Sequence, residues 1–531
     1  MRVSNQNKKI CSLKILLASI QRLFLAGLVA LVLSGIGATG ASAQASNVYI
    51  TQDGAGNGVC SSNVHTPAWF NNSANWGTGG SQIGPGTIVH LCGTFNGPTN
   101  STLLVAQGSG TSGSPVTILF ESGTNLTSQA WSGATGAINI SGHSYLVVDG
   151  GSNGIIQNTN NGTNLGLHQA DSIGVFAGGP SGSGCSPGCR ITNLTIANMY
   201  VHTSVSDCSI DQTGTNAVMF LNTAGIRVDH NIFHDMGWAI NGWGSNIEVD
   251  HNNVYNIDHG TASGANANTV GALFHDNHIH NFANWDTSGN CYHHDGIHIW
   301  NSDPNVNSNV SIYNNLFDGD SGVNITGYVY TENKVSNIKV FNNTFVLAAG
   351  RTMGGMLWMG NYYDVAPSIW NNTFIGQGSS ACMRLENNSG VVWENNVVSG
   401  CNTFLSYVQG TTVSLGDYNA YLAQSQGGGN YAFNLGTTQT NDFATWQSAA
   451  RQDSHSRTSN LAVNSDGTLP SGSPAIGAGT NLSNLGIAAL NADASGKPRP
   501  SSGAWDAGAL NSGTTVATVP TPPTNLKATV Q

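Results

Sequence analysis

Apolar and polar positions alternate in short runs along most of this chain. Many of the runs lead into Asn-Asn or a close variant and then an apolar pair. The phrase appears as Val228–Phe233, Val249–Tyr255, Phe274–His280, Ile312–Phe317, Val340–Phe345, Ile369–Phe374 and Val392–Val398. The Asn before each apolar pair is Asn231, Asn252, Asn277, Asn315, Asn343, Asn372 or Asn396, at intervals of 21, 25, 38, 28, 29 and 24 residues. Each unit is too short to bury a core alone, so units of this length must stack as a solenoid. Period-two alternation without helical spacing makes the unit strand plus turn. The predicted fold class is all-β, a right-handed parallel β-helix. The Asn residues are read as structural ladders at its turns.

The regular coils are expected over about 137–408, within a β-helix domain spanning 44–510. Strands are also predicted at Gly86–Leu91 and Pro115–Phe120, in an N-terminal cap and first coils. The stretch of about 417–510 is less periodic, with a short helix near Phe443–Ala450, and is read as a closing cap. The tail 511–531 is rich in Thr and Pro and reads as an extended linker. At the other end, a basic start, an apolar run from Leu23 to Leu33 and the small residues Ala41-Ser42-Ala43 predict a secretory signal peptide over 1–43. No later stretch has the roughly 20 apolar residues that a membrane span needs.

Composition sharpens this picture. Charged residues are only 8% of the 531, whereas Gly alone accounts for 68. Solenoid turns use Gly and Asn for positive φ, and the aromatic and β-branched content argues against disorder. Removing the leader takes away five of 16 basic residues, leaving 11 − 27 = −16. Such a surface repels nucleic acid and anionic lipid. Eight cysteines remain beyond the leader, an even number that suits disulfides in an exported chain. The sequence-local pairs are Cys60–Cys92, Cys185–Cys189 and Cys382–Cys401, leaving Cys208 with Cys291. Spacing alone does not fix this pairing.

The phrases Ile83–Phe95, Ser109–Gly123 and Ser144–Gly151 resemble the opening coils of secreted right-handed parallel β-helix proteins of the pectate-lyase-like superfamily. The ending Ser473–Gly479, Asp493, Arg499-Pro500 and Asp506–Ala509 resembles the choice-of-anchor-Q cap of bacterial surface β-helix proteins. The resemblance implies a fold and a secreted or cell-surface location. It does not assign a reaction, because the superfamily includes lyases, hydrolases, epimerases and adhesins.

Candidate chemistry concentrates in one stretch. Ten of the 16 histidines lie between His230 and His298, and the densest phrase runs from Cys291 to Trp300, inside the longest repeat interval. Aligning the coils on Gly237, Gly260, Gly296, Gly322 and Gly355 stacks Asp235, Asp258, His294 and Asp320 in one column. Met236, His259, Asp295 and Ser321 form the next. Strands about 4.8 Å apart would then crowd Asp258, His259, His294, Asp295 and Asp320 along one edge. Alternation turns Ile297 and Ile299 inward and His298 and Trp300 outward. The outward row is expected to continue through Asn324, Leu357 and Arg384, with Trp300 and Trp285 available to stack on sugar rings. Arg384 and Glu386 are spaced for a simple surface ion pair.

The preferred reading is an exported glycoside hydrolase acting on a polysaccharide or cell-surface glycan. Asp295 and Asp320 would be its carboxylate pair, His298 a relay, and Asp258, His259 and His294 tuners. The alternatives are a Ca²⁺-dependent polyuronate lyase using His298 and Arg384, and a non-catalytic glycan-binding surface protein. Beyond Ca²⁺ no cofactor is expected: the chain has no phosphate-binding Gly loop leading into a helix. The expected assembly is a monomer.

Overall fold

The computed structural model describes residues 46–514 apart from 180–183, 202–213, 265–267, 283–293, 302–303, 323–324, 361–364, 378–380, 409 and 426–430. The predicted leader, the last 17 residues, Trp285, Asn324, Cys208 and Cys291 lie outside the described residues.

The chain winds as a parallel β-helix. One sheet of 14 strands runs the length of the molecule; Val64–His65 forms one edge, and from Asn47–Ile50 onward the strands follow in sequence order, each pairing with its counterpart in the neighbouring coil. The remaining strands build the other faces, and the longest, Ile232–Ser245 (β1) and Asn253–Ser263 (β2), bend across two of them. Pairing already begins at Asn47–Ile50, well before residue 137.

Inward residues stack in columns. Val228, Val249, Phe274, Ile312, Val340 and Ile369 align on the first sheet and are buried. On a second face Phe317, Phe345 and Phe374 stack with ring centroids 5.0 and 4.7 Å apart. Each coil donates one apolar side chain per column, so no coil has a core without its neighbours.

The turn between these faces explains the Asn phrase. Before each ladder Asn stands a residue with left-handed φ: His251 at 54°, Asp276 at 54°, Asn314 at 55° and Asn342 at 55°. Asn and Asp tolerate that conformation better than most residues. The next Asn is fully inside. Asn277 Nδ2 donates to Val249 O at 2.9 Å and to Asn315 Oδ1 at 3.0 Å, and its backbone N–H donates to the same oxygen at 3.0 Å. The arrangement repeats from Asn231 to Asn419, which donates to Asp453 at 3.1 Å.

The expected helix is present at Phe443–Ala450. It covers the last coil: Trp446 stacks on Phe433 at 4.9 Å and donates to Asp453 at 2.7 Å. A longer segment follows the helix within the predicted cap. It runs back along the side of the coils, where Leu482, Leu490 and Trp505 pack on Phe341 and Trp370. Buried Arg499 there donates to Asn342 Oδ1 at 2.9 Å.

Cys60–Cys92, Cys185–Cys189 and Cys382–Cys401 are disulfides. No helix among the described residues is long and apolar enough to cross a membrane.

Candidate functional site

The site lies on β1, β2 and four further strands of one face: β3 (His294–Trp300), β4 (Ile325–Glu332), β5 (Leu357–Met359) and β6 (Ala381–Glu386). On these strands Ile240, Ile297, Val329, Leu357 and Met383 turn to the core. Their neighbours form the outer row His298, Tyr330, Trp358, Arg384 and Ser406.

Five of the predicted residues meet. His259 pairs in register with Asp295, and Asp258 and His294 immediately precede them. His259 Nδ1 lies 2.6 Å from Asp258 Oδ2, and His294 Nδ1 lies 3.0 Å from Asp258 Oδ1. On its other side His259 Nε2 is 3.4 Å from Asp295 Oδ2, which is itself 3.8 Å from His298 Nδ1. Strict alternation would place Asp295 with the inward isoleucines. Between His294 and Asp295 the pairing with β4 is irregular, with Thr326 as the extra residue on β4. Gly296 follows, passing so close to Tyr328 that a Cβ would sit 2.4 Å from its carbonyl oxygen. Only Gly fits there.

Burial alone would raise the Asp258 carboxyl, but the two imidazoles beside it outweigh that and hold it well below the usual carboxylate range. Burial alone would likewise depress His259; the Asp258 and Asp295 carboxylates prevail and raise it to about 10. Trp238 stacks on the His259 ring at 4.3 Å and Tyr330 on the His298 ring at 5.1 Å. Trp300 stands 6.2 Å from His298.

Two expectations fail, both from the choice of register glycine. Asp320 is not in the cluster. Asp295 pairs with Gly327 and Ile297 with Val329, so Tyr328 rather than Gly322 stands opposite Gly296, and Asp320 falls on the preceding turn. There it is half exposed and bonded to Arg351 through Nε at 2.7 Å and Nη2 at 2.9 Å. Asp235 is displaced as well: β1 and β2 align Trp238 with His259, which sets Asp235 beside Asn256 rather than Asp258. The outer row also differs. Leu357 belongs to the core, and Trp358 takes its place. Arg384 is in the row as expected, bonded to Glu386 and lying over the Trp358 ring at 4.2 Å.

The residue that spacing missed is Glu332. It ends β4 and aligns with Trp300. Its Oε2 lies 3.4 Å from His298 Nε2, with 31% of the side chain exposed. The alternating run Tyr328–Glu332 was a usable signal, since it ends on an acid in the position that Trp300 holds one coil earlier.

Calcium does not suit this site. Five groups of three or more candidate ligands occur among the described residues, and every one contains histidine. Ca²⁺ takes oxygen ligands, six to eight of them.

No protein-family model matches the chain, and no curated protein matches it. Solved structures do. XylC, determined in complex with xylose, superposes with a TM-score of 0.51 at 10% identity, covering 88% of this chain and 98% of its own. The likeness is one of fold. The PL6 family alginate lyase AlyGC gives a TM-score of 0.42 at 14% identity, covering 73% and 53%, and the pectate lyase Pel9A 0.38 at 14%, covering 89% and 98%.

Proposed function

We propose that the chain is an exported enzyme that hydrolyses a neutral polysaccharide lying across the coils. The observation that carries this reading is the placement of Asp295 and Glu332 on opposite sides of one imidazole, at 3.8 and 3.4 Å from His298. The ring joins two carboxylates, the acid and base that hydrolysis of a glycosidic bond needs.

Glu332 is partly open to solvent and takes the acid role, giving its proton to the glycosidic oxygen as the C1–O bond breaks. Asp295 is buried and takes the base role, removing a proton from the water that attacks C1, with His298 orienting that water. Asp258, His259 and His294 hold Asp295 in place. Trp358 and Trp300 offer ring faces to the sugars.

The acids in or beside the row outnumber Arg384, which Glu386 already engages, so a polyanion is disfavoured. Lyase chemistry would need His298 and Arg384 at one sugar. They are three coils apart, roughly 14 Å. Three disulfides support export.

The test is incubation with a panel of neutral and acidic polysaccharides, following reducing ends and the ultraviolet absorbance of unsaturated uronates. New reducing ends without absorbance, lost in Glu332→Gln, are expected. Absorbance would replace hydrolysis with β-elimination. No product across the panel would leave glycan binding as the function.

A further inference from the structure

We infer that His259, Asp295 and His298 together hold a divalent transition-metal ion of the Zn²⁺ type. The donor atoms of the three lie within 4.8 Å of one another. Ligands at 2.0–2.2 Å from a common ion are at most about 4.4 Å apart, so little movement is needed to close on one. All three residues are buried, with at most 4% of their surface exposed. Two imidazoles and one carboxylate are a borderline-soft set that suits Zn²⁺, Co²⁺ or Fe²⁺ and leaves positions open for water or a sugar oxygen.

The surroundings are arranged for it. Asp258 accepts from His259 Nδ1 at 2.6 Å, which directs Nε2 towards Asp295. A carboxylate behind a ligating histidine fixes its tautomer and makes it a better donor. Trp238 and Tyr330 pack flat on the two rings and hold their planes.

The other histidine groups among the described residues meet the same spacing, but none of them is buried throughout. His230 and His251 stack in parallel at 4.7 Å, each with Nδ1 on its neighbouring Asp, and Arg227 already engages Asp250 at 2.7 Å. In the third cluster His278 is bonded to Asp318 and His280 to Asn253.

Only the ion's catalytic role rests on the hydrolase reading: it would carry the attacking water that Asp295 otherwise activates. Binding itself does not depend on that reading.

The test is metal analysis of the purified full chain, then Co²⁺ titration of chelator-treated protein, read by visible absorption and by melting temperature without any glycan. One ion per chain, a Co²⁺ ligand-field band and a raised melting temperature are expected. Asp258→Asn keeps all three donors and should bind Co²⁺ about 10–100-fold more weakly; His298→Gln should lose the band. Asp320→Asn, on the surface with Arg351, should bind as the parent does. No band and no thermal shift in folded, chelator-treated protein would overturn the site, as would an unchanged affinity in Asp258→Asn. Glycan cleavage that survives chelation would remove the ion's catalytic role and leave the hydrolase reading standing. Co²⁺ binding without cleavage of any glycan would do the reverse.

Discussion

Nε2 of His298 lies 3.4 Å from Oε2 of Glu332, across the gap between two neighbouring coils. His298 is buried, whereas almost a third of the Glu332 side chain reaches solvent. This contact joins the enclosed His–Asp group to the open row beside it.

Removing the Glu332 proton donor should therefore cost chemistry and little else. Glu332→Gln is expected to lower kcat about 10²–10⁴-fold with KM nearly unchanged. Its melting temperature should match the parent's, because the side chain lies at the rim. Steady-state kinetics beside a thermal melt would check both. A raised KM with normal kcat would make Glu332 a binding residue.

Asp320 supplies the contrast. It reaches Arg351 on the surface, away from the cluster. Asp320→Asn should leave kcat and KM alone and cost about 0–1 kcal/mol of stability, as exposed ion pairs do. A large fall in activity would return Asp320 to the site.

Trp358 lies mid-row, beneath the Arg384 guanidinium. Trp358→Ala should remove about 1–1.5 kcal/mol of sugar stacking. KM should rise about tenfold on long substrates and less on short ones. Equal effects on all lengths would mean that the glycan does not run along the row.

The Asn ladder can be cut at its middle. Asn315 accepts two bonds from Asn277 and donates to Phe274 O at 2.9 Å and to Asn343 at 2.9 Å. Asn315→Ala strands those buried partners and should cost about 2–4 kcal/mol. Denaturant unfolding would measure it. A loss below 0.5 kcal/mol would show that water replaces the amide.

Glu394 gives a pH signature remote from the site. Burial, reinforced by the Asp417 carboxylate and only partly offset by Trp370, raises it from 4.5 to about 7. The folded state thus binds this proton more tightly than the unfolded chain does. The contribution is complete below 4.5 and is lost as pH rises through about 7. Glu394→Gln should raise the melting temperature at pH 8 and leave it unchanged at pH 4. Equal shifts at both values would refute the assignment.

The solenoid was legible in the sequence because its marker has a chemical reason. Each Asn phrase pairs a left-handed turn residue with a buried amide, and few residues can take either place. The columns on the first two faces follow from those markers. The third face does not, because the turn leading to it varies. Asn252 stands seven residues before His259, Asn277 eighteen before Asp295, and Asn315 twelve before Gly327. Neither the Asn nor the glycine marker carries register across turns of such different length. The Asp258, His259, His294 and Asp295 group was found where the chosen glycines happened to align, at Gly260 and Gly296. One coil later the same rule selected Asp320 and passed over Glu332. Side-chain contact between coils, as between Trp238 and His259, leaves no trace in spacing at all.

The ladder gives every coil from Asn231 to Asn419 the same polar joint. A coil can then be gained or lost whole, as between Asn343 and Asn372, and the two amides left facing each other would bond as before. Such a change would lengthen or shorten the outer row by one side chain without disturbing the His–Asp group. Variation in the length of glycan accommodated could proceed in whole-coil steps, separately from variation in the chemistry performed on it.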